Sequence, residues 1–185
     1  LIRLYVAVFK HFNIETQVVF TAKRFTQYFD KDFETTEHLK DVLFYFPSVK
    51  KYMEPVSIEF RIPLFNFNYG NNYGLFIKEK EFGGAKMGIG ELGFIEIPTD
   101  ITHDYMDITV DFTKDIENPA INTVVKYGGY SAMNFQPMKD FITDEQYKEM
   151  IKEISKNYTF DTDPTSTKTE NDGTEFIGKK PFILD

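Results

Sequence analysis

One run of six residues, 41–46, limits the possible folds more than any other segment of the chain. It reads Asp-Val-Leu-Phe-Tyr-Phe, and branched and aromatic residues in so short a run are typical of a buried strand. Residues 47–50 follow as a turn that begins with proline, and residues 51–54 read as a return strand, so we predict a β-hairpin. Paired residues in that hairpin have numbers that sum to about 97, which places Glu54 opposite Leu43.

An amphipathic helix and a second strand precede the hairpin. Apolar residues recur at the spacing of one helix face, at Leu1, Leu4, Tyr5, Val8 and Phe12. Asn13 tolerates the left-handed conformation and is expected to end the helix, with Ile14 folding back on the last turn as in a Schellman motif. Residues 15–21 are β-branched and apolar, which predicts a buried strand.

The rest of the first half is predicted to be less regular. Residues 24–39 are mixed and polar, which indicates a surface excursion. Residues 59–73 are rich in aromatic residues and asparagine, and we predict a loop that wraps over a core. The aromatic side chains of that loop that look exposed are candidates for binding a ligand, namely Phe65, Tyr69 and Tyr73.

A glycine-rich stretch raises the question of a nucleotide cofactor. Residues 88–93 read Gly-Ile-Gly-Glu-Leu-Gly, which matches the G-x-G-x-x-G letters of dinucleotide binding. That fingerprint needs a strand before the first glycine and a helix after the third. Here a polar segment precedes it and a strand at 94–98 follows, so we predict a flexible glycine loop and no cofactor.

A different pattern of polar and apolar residues begins after a candidate domain boundary at residues 99–104. Residues 105–112 alternate polar and apolar side chains, which predicts a half-exposed strand, and 121–127 predicts its partner. A short helix at 131–141, broken by a proline, leads to a longer helix near 143–156. Thr143 and Gln146 have the spacing of a capping box at its start. Residues 158–169 and 176–184 predict two more strands, so we expect an antiparallel sheet covered by one helix.

Composition excludes several classes of protein. The chain carries 21 basic and 29 acidic residues, and a net charge of −8 argues against nucleic acid as a partner. Aromatic residues make up 17% of the chain, which argues against a disordered acidic protein. The chain has no cysteine and no apolar run long enough for a membrane span. It begins with Leu1 inside a helical pattern, so we expect it to be part of a longer protein.

Metal sites are not expected either. The histidines are far apart in the sequence and on unlike elements, at His11, His38 and His103. Asp161, Asp163 and Asp172 flank a Thr/Ser-rich stretch, but a calcium loop that starts at Asp161 would need glycine at its sixth place and glutamate at its twelfth. Those places hold Ser166 and Asp172, which favours a solvated loop.

The first half resembles a known fold. Residues 4–15, followed by 18–21, resemble the central helix and the next strand of the transglutaminase-like fold, which is related to that of papain. More narrowly, the chain resembles bacterial transglutaminase-like proteins whose core has a β-rich domain of unknown function on each side. The resemblance implies an α+β chain in which residues 1–100 form the C-terminal part of the core. Residues 101–185 would begin the following β-rich domain, which is incomplete at its C-terminus.

The family's chemistry can be placed on this sequence by that resemblance. A cysteine at the helix N-terminus, a histidine on the hairpin and an aspartate before a proline form the triad. The cysteine position falls about three residues before Leu1, and Glu54 holds the aspartate position. In the hairpin register, Asp41 holds the histidine position. His38 lies three residues earlier and would need a bulge to point to the same face.

Three functions follow from these placements. Asp41 cannot act as an imidazole base, so the resemblance favours a degenerate, non-catalytic scaffold or binding module of a bacterial cell-envelope protein, periplasmic or secreted. Its partner would be a peptide, a glycan or an envelope protein. The alternative is a cysteine-dependent transglutaminase, amidase or peptidase, with His38 as base and Glu54 orienting it. The third is a structural spacer without a ligand.

Overall fold

The computed structural model describes residues 1–158 and 164–185 of the chain. The chain divides into two compact units, Leu1–Pro98 and Thr99–Asp185. Both contain helices and antiparallel strands, so the chain is of the α+β class. No helix among the described residues is both long enough and apolar enough to span a bilayer.

The first unit is a five-stranded antiparallel sheet with one α-helix. Its elements are α1 (Ile2–His11), β1 (Gln17–Thr21), β2 (Asp41–Phe46), β3 (Lys51–Met53), β4 (Asn72–Phe82) and β5 (Ala85–Ile95). The strands lie in the order β3-β2-β1-β4-β5. In the β2–β3 hairpin Phe44 pairs with Met53 and Tyr45 with Tyr52, which confirms the predicted hairpin and its register.

The end of α1 is a Schellman motif, as predicted. Asn13 has a φ of 53°, and its amide donates to the carbonyl of Lys10 at 3.1 Å. The amide of Ile14 donates to the carbonyl of Phe9 at 2.8 Å. These two bonds satisfy carbonyls that the helix end would otherwise leave unpaired.

The face of α1 that packs on the sheet is not the predicted one. The ring of Phe9 lies 5.2 Å from that of Phe44 and 5.4 Å from that of Phe46, and Tyr5 lies 5.7 Å from Phe44. Most of the predicted apolar face is exposed to solvent instead, namely Leu1, Leu4, Val8 and Phe12. The helix carries two neighbouring apolar stripes that share Tyr5, and periodicity alone cannot tell which stripe meets the sheet.

The other face of the sheet holds the main core of this unit. Its buried cluster consists of Val19, Leu43, Tyr52, Phe65, Tyr69, Phe76 and Ile95. Two of these residues come from the loop between β3 and β4, residues 54–71, which covers this face. The prediction of a loop wrapped over a core is therefore confirmed.

The glycine-rich stretch is a strand, which corrects the prediction of a flexible loop. Residues 85–95 form β5 and pair with β4 along their whole length, and the predicted strand at 94–98 is only the end of β5. A Cβ atom on Gly90 would lie 2.8 Å from Cδ1 of Leu75, and one on Gly93 would lie 2.7 Å from Cε2 of Phe76. The glycines therefore make room for large side chains on β4, and no helix follows them as dinucleotide binding requires.

The second unit is a four-stranded antiparallel sheet with one long helix. Its elements are β6 (His103–Asp111), β7 (Ala120–Gly128), α2 (Gly129–Ala132), α3 (Met138–Phe141), α4 (Asp144–Lys156), β8 (Thr169–Glu170) and β9 (Phe182–Leu184). The strand order is β6-β7-β9-β8. The predicted pair of strands and the helix interrupted before residue 138 are confirmed.

Helix α4 begins with the predicted capping box and covers the sheet. The amide of Gln146 donates to Oγ1 of Thr143 at 3.3 Å, and the amide of Thr143 donates to Oε1 of Gln146 at 3.0 Å. Tyr147 and Ile151 on the helix pack with Phe182 in a buried cluster. The capping box therefore fixes where the helix that carries two of the five buried residues of this cluster begins.

The last two predicted strands are shorter than expected. Of the predicted strand at 158–169, residues 159–163 lie outside the described residues, as do Asp161 and Asp163 of the acidic stretch, and β8 begins only at Thr169. The strand predicted at 176–184 is only β9. Between β8 and β9 the chain forms a loop whose ends are held by the buried amide of Gln136, which donates to the carbonyls of Asn171 at 3.1 Å and Lys180 at 3.0 Å.

Candidate functional site

The residues considered for the histidine and aspartate positions of the triad, which are His38, Asp41 and Glu54, lie at one end of the β2–β3 hairpin. β2 begins at Asp41, and Glu54 directly follows β3. Since the two strands are antiparallel, the start of β2 and the end of β3 meet at the same end. His38 belongs to a 3₁₀ turn, Thr36–Leu39, just before β2. The fold therefore brings these residues together at one end of the hairpin, and the contacts of each side chain decide its role.

Glu54 is buried, and each of its carboxylate oxygens accepts a hydrogen bond from the loop that follows. Its Oε1 accepts a hydrogen bond from the hydroxyl of Ser57 at 2.5 Å, and its Oε2 accepts one from the backbone amide of Asn66 at 2.7 Å. Only 7% of the residue is exposed. The carboxylate therefore joins the start of the 54–71 loop to its later part, and hydrogen bonds to a charged acceptor of this kind are strong.

Asp41 lies beside a buried phenol. It pairs with Thr21 of β1, and its carboxylate lies near the hydroxyl of Tyr69. Burial, followed by the negative charges of Asp41 and Glu54, raises the pKa of that hydroxyl above its ordinary value. The phenol therefore stays protonated in this buried, negatively charged surrounding.

Asp41 projects from the face of the sheet that α1 does not cover. Side chains alternate along a strand, so Asp41 shares a face with Leu43 and Tyr45, while Phe44 and Phe46 contact α1. The contact with Tyr69 places the carboxylate on the side of the 54–71 loop. The position that the resemblance assigns to a histidine is thus a carboxylate that faces the loop rather than the helix.

His38 is packed as a core ring. It is 3% exposed, and its ring stacks on that of Phe29 at 4.6 Å with an angle of 27° between the planes. The amide of Phe29 donates to Oδ1 of the buried Asn72 at 3.1 Å, and Nδ2 of Asn72 donates to the carbonyl of Ala22 at 3.0 Å. His38 thus lies in a 3₁₀ turn rather than on a regular or bulged strand, and within the described residues it makes no hydrogen bond or ion pair with Asp41 or Glu54.

The aromatic residues singled out from the sequence are mostly buried, which corrects the expectation that they are exposed. Phe65 has no exposed surface and Tyr69 is 4% exposed, because both fill the core beneath the 54–71 loop. Tyr73 is half-buried on β4, with its ring 5.4 Å from that of Phe94. Phe65 and Tyr69 therefore have no surface to offer a ligand.

A different set of rings is exposed at this edge of the sheet, on the segment between β1 and the 3₁₀ turn. We call residues 23–35 the aromatic loop. Its exposed rings, 56–70% accessible, are Phe25, Tyr28 and Phe33. The guanidinium of Arg24 lies 4.5 Å from the ring centre of Phe25, and the amide of Arg24 donates to the carbonyl of Asn68 at 2.7 Å. The sequence signal for this surface is aromatic residues spaced singly in a polar segment, which differs from the clustered rings of a core.

Neither the described residues nor the comparisons assign an activity to this edge. In residues 1–158 and 164–185 no three His, Asp or Glu side chains are placed to hold a metal ion. The ring of His11 contacts that of Phe12, and the ring of His103 contacts that of Tyr105. Comparison with models of known protein families, with curated proteins and with solved structures finds no match to this chain.

Proposed function

We propose that residues 1–98 form a non-catalytic, transglutaminase-like scaffold that serves as a binding module of a bacterial cell-envelope protein, periplasmic or secreted. The observation that carries this proposal is that Glu54 accepts hydrogen bonds from Ser57 and Asn66 of its own loop, while His38 stacks on Phe29. A carboxylate that orients a catalytic imidazole must accept a hydrogen bond from that imidazole. Within the described residues no hydrogen bond joins His38 to Glu54.

The chemistry of Asp41 supports the same proposal. A histidine in its position would accept a proton and then pair as a cation with a thiolate. A carboxylate cannot become a cation, and its negative charge would raise the pKa of a nearby thiol rather than lower it. The negative charge of Asp41 instead acts on the buried phenol of Tyr69, whose pKa it helps to raise.

The aromatic loop supplies the partner-facing surface in this proposal. Exposed rings in a polar segment bind flat or apolar groups, such as sugar faces or apolar peptide side chains, and Arg24 adds a cation. The backbone bond from Arg24 to Asn68 ties the loop to the segment after Asn66, which Glu54 holds in place. In this arrangement Glu54, which holds the aspartate position of the family's triad, supports the binding surface.

Catalysis can be tested by the transfer of a fluorescent primary amine to the side-chain amide of glutamine in a test protein. Hydrolysis of the same glutamine amide is measured in parallel. The full-length natural protein and its His38→Ala and Asp41→Asn variants are compared, and we expect no product above the enzyme-free blank from any of them. Product that disappears in His38→Ala and persists in Asp41→Asn would overturn the proposal. That result would establish the cysteine-dependent alternative with His38 as its base.

Binding can be tested by co-sedimentation with isolated cell-wall sacculi, which present both glycan and peptide. We expect the natural protein to sediment and the Phe25→Ala/Tyr28→Ala variant to lose most of that retention. Phe82→Ala is a matched control, since Phe82 is a 61% exposed ring at the far end of β4. Equal retention of all three proteins, or retention of none, would contradict a binding role for the aromatic loop and favour a spacer.

A further inference from the structure

The second unit contains an open cavity of about 530 Å³ beside the C-terminal end of α4. One side of it is formed by apolar residues of the sheet, namely Ile121 and Val125 of β7 and Leu184 of β9. The end of α4 and residues 164–167 form other parts of the wall. Binding sites for small organic ligands commonly measure about 300–1,000 Å³, so this cavity has room for such a ligand.

The charged side chains that line the cavity are acidic. They are Glu117 and Asp185, and among the described lining residues none is a lysine, arginine or histidine. Lys168 follows the lining residue Thr167, and its ammonium pairs with Glu170 at 2.6 Å, although Asp185 also attracts it. The cavity therefore favours a cation over an anion.

The end of α4 adds to this negative potential. Ser155 and Tyr158 line the cavity there, and the last carbonyls of a helix carry a partial negative charge that stabilises a nearby cation. The hydroxyl of Ser155 donates to the carbonyl of Ile151 at 2.8 Å, so only its lone pairs remain for a ligand. Tyr158 adds an aromatic ring, whose face attracts cations. A ligand that donates hydrogen bonds therefore fits this wall.

The whole second unit also attracts cations. Residues 99–185 carry 9 basic and 17 acidic residues, whereas residues 1–98 carry 12 of each, so the net charge of −8 belongs to the second unit. A surface with charge of one sign raises the local concentration of ligands of the opposite sign.

We propose that the cavity binds a small organic cation of the diamine or polyamine class. Its ammonium groups pair with Glu117 and with the acceptors at the end of α4. Its methylene chain lies on the apolar side, against Ile121, Val125 and Leu184. This site is separate from the aromatic loop and does not depend on the function proposed for residues 1–98.

Titration calorimetry at low ionic strength tests the ligand class with three probes that share a chain of five carbon atoms. The probes are 1,5-diaminopentane, pentane-1,5-diol and glutarate, which differ in charge. We expect the diamine to bind at one site per chain, the diol to bind more weakly and glutarate not to bind. Binding of the diol or glutarate as tight as that of the diamine, or no binding of the diamine, would overturn the proposal.

Variants locate the bound diamine. Glu117→Gln removes one exposed ion pair and should weaken diamine binding about two- to fivefold. Glu145→Gln is the matched control, because Glu145 is exposed in the first turn of α4 and its replacement changes the charge equally. Ile121→Trp fills part of the cavity and should abolish binding. Ile121 is 47% exposed, so the larger ring can be accommodated, and circular dichroism checks that each variant is folded. Equal weakening by the two Glu variants, or unchanged diamine affinity in Ile121→Trp, would refute this site.

Discussion

The backbone amide of Asn66 donates a 2.7 Å hydrogen bond to Oε2 of Glu54, twelve residues earlier in the chain. The bond closes the main loop of the first unit over its core. Ser57 donates to the other oxygen, so one buried carboxylate fixes two points of the loop. This arrangement makes Glu54 a determinant of stability.

Replacement of Glu54 should therefore destabilise the protein. Glu54→Ala leaves the Asn66 amide and the Ser57 hydroxyl without their acceptor, and we expect a loss of about 2–3 kcal/mol in the free energy of unfolding. Urea unfolding followed by circular dichroism measures the loss. Glu59→Ala is the control, because Glu59 is exposed in the same loop and should change stability by less than about 0.5 kcal/mol. Equal stability of the two variants would leave Glu54 free for a role in catalysis.

The buried and exposed rings of the first unit should respond very differently to truncation. Phe65 has no exposed surface, so Phe65→Ala leaves a cavity and should cost about 3–5 kcal/mol in unfolding free energy. Phe33 is 63% exposed, and Phe33→Ala should cost less than about 0.5 kcal/mol. Thermal and urea unfolding of the two variants compare them directly. Similar losses would contradict the assignment of Phe65 to the core and Phe33 to the surface.

The left-handed residue after α1 should tolerate glycine but no branched side chain. Asn13 has a φ of 53°, where a β-branched residue clashes with its own backbone. We expect Asn13→Val to lower the free energy of unfolding by about 1–2 kcal/mol and Asn13→Gly to leave it within about 0.5 kcal/mol. Chemical denaturation gives both values. A Val variant as stable as the Gly variant would mean that the Schellman motif does not form in solution.

An ion-pair cluster couples α1 to the sheet and should make stability depend on pH. Hydrogen bonds from Lys10, at 2.6 Å, and Lys86, at 2.9 Å, lower the pKa of Glu79 to about 2, from an ordinary value near 4.5. A carboxylate with a lowered pKa in the folded state stabilises the protein above its unfolded pKa. That contribution should be present above about pH 4.5 and disappear as the pH falls towards 2.

Glu79→Gln tests this coupling. Urea unfolding is measured at pH 7 and at pH 3, and the variant should lose less unfolding free energy between the two than the natural protein does. Added salt should reduce this difference between the two proteins, because Lys10, Glu79 and Lys86 are all exposed. Identical pH dependence of the two proteins would show that the cluster contributes nothing in solution.

Local patterns predicted the β2–β3 hairpin because the information lies within it. A proline turn separates two short apolar runs, and the turn length fixes which residues pair. The sequence did not predict β5 as a strand, because glycine is a poor strand former. Gly90 lies in β5 because a larger residue there would contact Leu75 on the neighbouring strand too closely. A requirement set by a neighbouring strand cannot be read from the segment itself.

Only part of the candidate site could likewise be predicted from local sequence patterns. The common position of Asp41 and Glu54 at one end of the hairpin followed from its register. The engagement of Glu54 by Asn66 did not, because the loop that returns the amide has no periodic pattern to place it. Phe65 was likewise assigned to the surface, since a loop that closes a core resembles an exposed aromatic segment until its path is known.

In the second unit, one buried side chain contacts both ends of a loop. The buried Gln136 amide donates to the carbonyls of Asn171 and Lys180, which lie at the two ends of the loop between β8 and β9. The side chain of Asn171 also donates to the carbonyl of Pro181 at 2.8 Å, which joins the two ends directly. We therefore expect the amides of that loop to exchange with solvent through one shared opening rather than residue by residue.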